Sequence, residues 1–397
     1  ATGATLDSNS GAEAVMHRLS FLALAVSVSL FGTATLPIPA RAQDTIKIAA
    51  GAPLTGMLAK QGQEVANGVK LAAAEWNQKG GVLGKKIEVV DADDQGNPQV
   101  GVAAAEKVVA DPAVMGAVWG ITSVTCIPAS EILDRADLIM ITPGCTNPKV
   151  TDRGLKSVAR VCARDDFQGP AGAVFLITDL KKKKIAVFDD GTTGPRGVAD
   201  AFEAKGKALG ATVLRYVIRS GDKDFRPILG TLPKDVDAIY AGLWAPDAAL
   251  MAKQLSDVGL DVHMMGPDGQ YEPVDYIQAS GGAAEGNYVS FLVPDIHKLP
   301  SAQAFLQTYE NQYGSISSYG PLAYEATNIL LTAIQKVGKP DRAAIRDAVR
   351  ATSNYIGILG QPITFNAKGD VDSQNIYIYQ VKGPDFVQIQ AIKLNQD

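Results

Sequence analysis

The chain has 397 residues, 46% hydrophobic and 20% charged, with a formal net charge of -5. That is a globular balance, long enough for two domains of ordinary size. It excludes a nucleic-acid partner, because phosphate recognition needs clustered Lys and Arg, and the single basic run, Lys181 to Lys184, reads as a solvated helix end.

Met16-His17-Arg18 is a short basic start, Phe21 to Phe31 is almost wholly apolar, and Pro37, Pro39 and Ala40-Arg41-Ala42 follow. This series reads as a secretory signal peptide over residues 16–42, with an apolar run too short for a permanent anchor. Residues 1–15 precede a good start methionine and read as a start-site artefact or scar. A mature chain beginning near Gln43, exported to the periplasm, is expected.

From Thr45 onward strands and helices alternate. Ile46 to Ala50 reads as a strand, and Glu64 to Gln78 as a helix with Val65, Val69, Ala72 and Trp76 on one face. Strands are predicted at Ile87–Val90, Val114–Val118 and Leu138–Ile141, with helices over Gln99–Ala110 and 125–135. The apolar run ends at ITPGCTNP, residues 141–148, where two prolines and a glycine forbid both helix and continued strand. Residues 146–170, rich in Pro, Gly and charge, interrupt the pattern. A second series follows, with strands at Ile185–Phe188, Thr212–Ile218, Ala238–Gly242 and His263–Gly266. Its helices fall near 168–179, 195–209, 224–231, 246–258 and 273–279. After Tyr288–Leu292, residues 301–350 are mostly helical, and strands flank the turn Asn366–Gly369. Repeated βα units imply parallel sheets covered by helices on both faces. Ligands of open α/β sheets bind beyond the carboxyl ends of the strands.

Three cysteines, Cys126, Cys145 and Cys162, allow one bond in an oxidising compartment. Cys145 and Cys162 flank the expected crossing between domains and are one candidate pair; three buried thiols is the other reading. Catalytic chemistry is missing. There is no G-x-S-x-G, no H-E-x-x-H and no Walker lysine loop. Gly191 to Gly197 reads as a strand-to-helix turn, and Asp93-Asp94 and Asp189-Asp190 as turn or cap residues. No enzyme activity, cofactor or metal is expected.

The opening IKIAAGAPLTGMLAKQGQEVANGVKLAAAEWNQKGGVLGKKIEVVDADDQGNP, then IPASEILDRADLIMITPGCTNP, ARDDFQGP and MMGPDG, occur in this order. Together they resemble the periplasmic solute-binding proteins of branched-chain amino acid ABC transporters over about residues 44–395. The resemblance implies a type I periplasmic binding fold: two doubly wound, Rossmann-like lobes joined by three crossing segments, closing on a ligand. Residues 44–164 with 293–360 would form lobe one, and 165–292 with 361–397 lobe two. It also implies a monomer that delivers a small molecule to an inner-membrane permease. Carried over by motif, the family's site falls on Ser123, on the Gly144-Cys145-Thr146 loop, on Asp268 and on Trp244. Gln61 and Gly194 replace family tyrosines, and Tyr319 would line the tail pocket while Tyr324 packs in a helix core. Gly96 and Thr122 stand where some members have a disulfide.

A zwitterion needs donors for its carboxylate and acceptors for its ammonium. Ser123 and Thr146 with loop N–H groups can donate, and Asp268 can accept. Three or four charge-assisted bonds of about 1.5–3 kcal/mol each, less ordering costs, reach roughly micromolar affinity, about -8 kcal/mol. The alternatives are the same fold holding an aromatic or aliphatic carboxylate or an amide, or serving as a ligand sensor.

Overall fold

The computed structural model describes residues 45–394, so the expected signal segment 16–42 and residues 1–15 lie outside the described residues. The first half runs β1 (Ile46–Ala52), α1 (Ala59–Gln78), β2 (Ile87–Asp93), α2 (Pro98–Ala110), β3 (Val114–Trp119), α3 (Ser123–Arg135), β4 (Met140–Thr142), α4 (Lys149–Asp152) and β5 (Val158–Arg160). The second series is α5 (Asp165–Ala173), β6 (Lys184–Asp189), α6 (Thr193–Ala208), β7 (Thr212–Val217), α7 (Arg226–Leu229), β8 (Ala238–Gly242), α8 (Ala245–Asp257), β9 (Met264–Gly266) and β10 (Tyr288–Phe291). Then come α9 (Gln303–Tyr313), α10 (Gly320–Val337), α11 (Arg342–Arg350), the short strands β11 (Tyr355–Ile356) and β12 (Pro362–Ile363), and the hairpin β13 (Asn375–Lys382) and β14 (Asp385–Lys393).

The first sheet has the order β2-β1-β3-β4-β5, all parallel. The second has the order β14-β13-β10-β9-β8-β6-β7. Its strands β6 to β10 are parallel, and the β13–β14 hairpin adds antiparallel to β10. Strands β3, β4, β5 and β8 are buried along their whole length, as parallel strands covered on both faces must be. Within each sheet the parallel strands follow one plan: the second lies outside the first, and the third to fifth run the other way. The order therefore reverses between β1 and β3, and again between β6 and β8. A crevice opens at such a reversal, at the carboxyl ends of the strands.

Helices α9, α10 and α11 return to the first sheet, where α10 packs along α1 and against β3 and β4. The chain thus crosses between the sheets after β5, after β10 and before β13. A buried ion cluster ties two of these crossings. Asp370 receives Arg160 at 2.7 Å on one oxygen and Arg164 at 2.8 Å on the other. Burial would raise the Asp370 pKa, but the two guanidiniums and Thr151 hold it below the ordinary value.

Several expectations change. Strand β5 was not predicted; its three residues lie inside the Pro/Gly/charge-rich stretch and owe their strand form to pairing with β4. Helix α1 begins at Ala59, with no side-chain cap at Leu58 to mark the start. The helix predicted near 224–231 shrinks to α7, and that near 273–279 is a π-helical turn, Pro273–Gln278. The turn at Asn366–Gly369 is closed by a single bridge between Phe365 and Val371, and the C-terminal strands begin only at Asn375.

The cysteine expectation is corrected. Cys126 is bonded to Cys145, and Cys162 is a buried free thiol. Cys126 lies in the first turn of α3, after β3, and Cys145 lies just past β4. These strands are parallel neighbours, so their carboxyl ends lie side by side. Gly120, with φ +88°, leaves the space: a Cβ there would fall 2.2 Å from one sulfur and 2.7 Å from the other.

Candidate functional site

Five strand ends converge on a cleft. Ser123 follows β3, Thr146 follows β4, Gly194 follows β6, Trp244 follows β8 and Asp268 follows β9. These five of the nine sequence-derived candidates line it. The apolar wall is Ile121, Pro195, Val198 and Leu243, none of which the sequence singled out.

At one side α3 presents its start. The N–H groups of Ser123 and Val124 precede the first intrahelical bonds, which run from Thr125 and Cys126 to the Thr122 carbonyl. Such a terminus favours an anion. The Ser123 hydroxyl accepts from the Asn147 N–H at 3.2 Å, which leaves its own proton to donate. The loop below is held from inside. Thr142 accepts the Cys145 N–H at 3.0 Å, and the buried Arg160 donates to the carbonyls of Cys145 and Asn147 at 2.9 and 3.1 Å.

Carboxylates also line the cleft. Asp268 opens a short 3-10 turn and accepts the Tyr319 hydroxyl at 2.6 Å. Burial pushes its pKa up to about 6, against the pull of hydrogen bonds from Tyr319 and Gln168. Asp165, at the first position of α5, also lines the cleft. Burial pushes its pKa up to about 7; the Thr146 hydroxyl opposes this and the charge of Asp268 adds to it. Among the described residues no Lys, Arg or His lines this cleft.

Four candidates do not face the cleft. Cys145 is in the disulfide. Tyr319 is fully buried behind Asp268 and serves that carboxylate rather than a tail pocket. Gly144 makes room for Tyr319: a Cβ there would lie 2.7 Å from the tyrosine ring. Gln61 is buried and donates to the Gly269 carbonyl at 3.3 Å, a bond from α1 to the β9 loop. Around Gly194 the space is open, with only the Ser123 hydroxyl, 4.0 Å from where its Cβ would be. The cleft continues past Gly194 and Trp244 into an outer hollow lined by Gln95, Gly96, Asp190 and Ser220. Asp165 was quoted in ARDDFQGP but given no role. An acid in the first turn of a helix is ordinary dipole and cap chemistry, so residue type raised no signal; only the lining of the cleft does.

The family model described as periplasmic binding protein matches residues 45–385. The Leu/Ile/Val-binding protein BraC3 of Rhizobium johnstonii is 34% identical over 350 residues, 87% of this chain and 94% of that one. A leucine-binding protein, LivK, of Thermotoga maritima superposes with a TM-score of 0.82 at 30% identity, covering 88% of this chain and 99% of that one. The branched-chain amino acid transporter substrate-binding protein LivJ of Streptococcus pneumoniae, solved with isoleucine, has a TM-score of 0.82 at 26% identity, with coverage of 88% and 100%.

Proposed function

The chain belongs to the periplasmic binding protein family, and we propose that it is the extracytoplasmic solute-binding subunit of an ABC importer for an aliphatic amino acid. It is a binding protein, not an enzyme. The observation that carries the ligand class is the make-up of the cleft lining: the Ser123 hydroxyl at the start of α3, two buried carboxylates, and apolar side chains. An α-amino acid complements that lining. The relatives' names, Leu/Ile/Val-binding, leucine-binding and branched-chain amino acid transporter, support an aliphatic side chain against Ile121, Val198, Leu243 and Trp244.

In this reading residues 16–42 export the chain to the periplasm, where it acts as a monomer. Residues 44–164 with 293–360 form one lobe and 165–292 with 361–397 the other. The lobes close on the ligand, and the closed form delivers it to a permease of the inner membrane. Ser123 and the α3 start take the carboxylate, and Asp268 takes the ammonium. A thermal-shift screen over the twenty amino acids, aromatic acids and amides tests this, because a ligand of the native state raises the melting temperature. Leucine, isoleucine or valine should give the largest shift. A shift confined to aromatic acids or amides would overturn the amino-acid assignment.

A further inference from the structure

We propose that Asp165 is a second ammonium-binding carboxylate of the cleft, so that the ligand is selected by a primary ammonium shared between Asp165 and Asp268. This rests on the amino-acid reading above and goes beyond it: it adds a binding residue and a requirement for three N–H donors.

Asp165 is 2% exposed, lines the cleft, and its Oδ2 has no hydrogen-bond partner among the described residues. Two buried side chains near it also carry an unpartnered oxygen. Gln168, one helical turn along α5, gives its amide N–H to the Ser290 carbonyl but leaves its Oε1 without a donor. The Tyr240 hydroxyl, close enough to feel the charges of both Asp165 and Asp268, is also unpartnered. Two of these three atoms can only accept, so the region lacks donors rather than acceptors. A buried acceptor without a donor costs about 1–3 kcal/mol, and a buried carboxylate more. Natural structures keep such groups mainly where a ligand, ion or water completes them.

A cationic donor matches this site. Two carboxylates line one cleft, and Arg160, whose charge Asp165 feels, is already committed to Asp370, Thr151 and two loop carbonyls, while Lys149 and Arg196 line a second hollow that Asp165 also borders. Thr146 sharpens the point. It lines the cleft beside the carboxylates, its carbonyl accepts the Asp165 N–H at 3.0 Å, and its hydroxyl can accept as well as donate. Thr146 can therefore add an acceptor for the ammonium. A primary ammonium has three N–H bonds, and the cleft offers Thr146 Oγ1, Asp165 and Asp268 to meet them. Space for the second carboxylate depends on Gly197 of α6, where a Cβ would fall 2.9 Å from Asp165 Oδ2.

Calorimetry with L-leucine, N-methyl-L-leucine and 2-hydroxy-4-methylpentanoate tests the inference on wild type, Asp165→Asn and Asp165→Glu. Circular dichroism serves as the folding check. On wild type, N-methyl-leucine should bind at least tenfold more weakly than leucine, a comparison that needs no variant. Asp165→Asn should lose at least thirtyfold for leucine and less than threefold for the hydroxy acid, while Asp165→Glu should recover part of the leucine affinity. Leucine binding within threefold of wild type in folded Asp165→Asn, with the N-methyl penalty intact, would overturn this inference and leave the amino-acid reading standing. Failure of leucine, isoleucine and valine to bind wild type would overturn both.

Discussion

Asp165 has a consequence that needs no ligand. Burial raises its pKa from 3.8 to about 7, so between those values the folded protein binds more protons than the unfolded chain. Stability then falls as pH rises through that window. The acids held low, such as Asp370 and Asp111, act only below the ordinary carboxylate range and do not oppose this. Ligand-free wild type should melt at a lower temperature at pH 8 than at pH 5. Asp165→Asn should flatten the slope by an amount on the order of 3 kcal/mol, read by differential scanning calorimetry. An unchanged slope would mean that Asp165 ionises normally. The same scale shows where residue-level reading stops. Ser123, Thr146, Trp244 and Asp268 stood out because each follows a legible strand. Tyr319 and Gly144 are not among the residues lining the cleft, and sequence cannot show that one ring lies against the other's Cα and turns its hydroxyl to Asp268.

Among the elements, α3 and the loop after β4 line the cleft through Ser123 and Thr146, and the Cys126–Cys145 bond ties them together. The bond closes a loop of 19 residues, for which chain entropy predicts about 3 kcal/mol of stabilisation. Cys126→Ser should lower stability by about that amount in urea titration. It should also weaken ligand affinity several-fold, because Ser123 and Asn147 would no longer be held in register. If stability drops while affinity is untouched, the bond is structural only. Strand β5 belongs to the same scale. With three residues and no periodicity it carries no local signal, yet it forms the edge of the first sheet and delivers Arg160 to the crossing.

Over the whole molecule, several side chains join the two sheet systems across the cleft. Lys60 of α1 pairs with Glu272 at 2.8 Å, Gln61 reaches Gly269, Asn147 reaches the Thr193 carbonyl at 3.1 Å, and Tyr319 reaches Asp268. If the halves close on a ligand as proposed above, these bonds and the ligand favour the same state. Lys60 does not line the cleft. Lys60→Ala should nonetheless weaken leucine binding about tenfold, near 1.4 kcal/mol, through a less favourable closing equilibrium. Small-angle scattering should show a smaller radius of gyration with saturating leucine. No change in radius, together with wild-type affinity in Lys60→Ala, would exclude closure as the basis of binding.

Periodicity by itself determined the repeated βα architecture, and with it the cleft at the strand ends, because amphipathic spacing and turn residues are local properties of the chain. The ordered motifs added the family, and through it the serine, threonine, tryptophan and aspartate of the cleft. What only the tertiary structure decided depends on residues distant in sequence. The cysteine pairing follows from the adjacency of β3 and β4. The role of Asp165 follows from α5 pointing its first turn at a cleft completed by α6 and the β9 loop. The role of Tyr319 follows from α10 returning to the first sheet to meet an acid 51 positions earlier. Burial and unpaired oxygens arise from those meetings, and no window of sequence contains them.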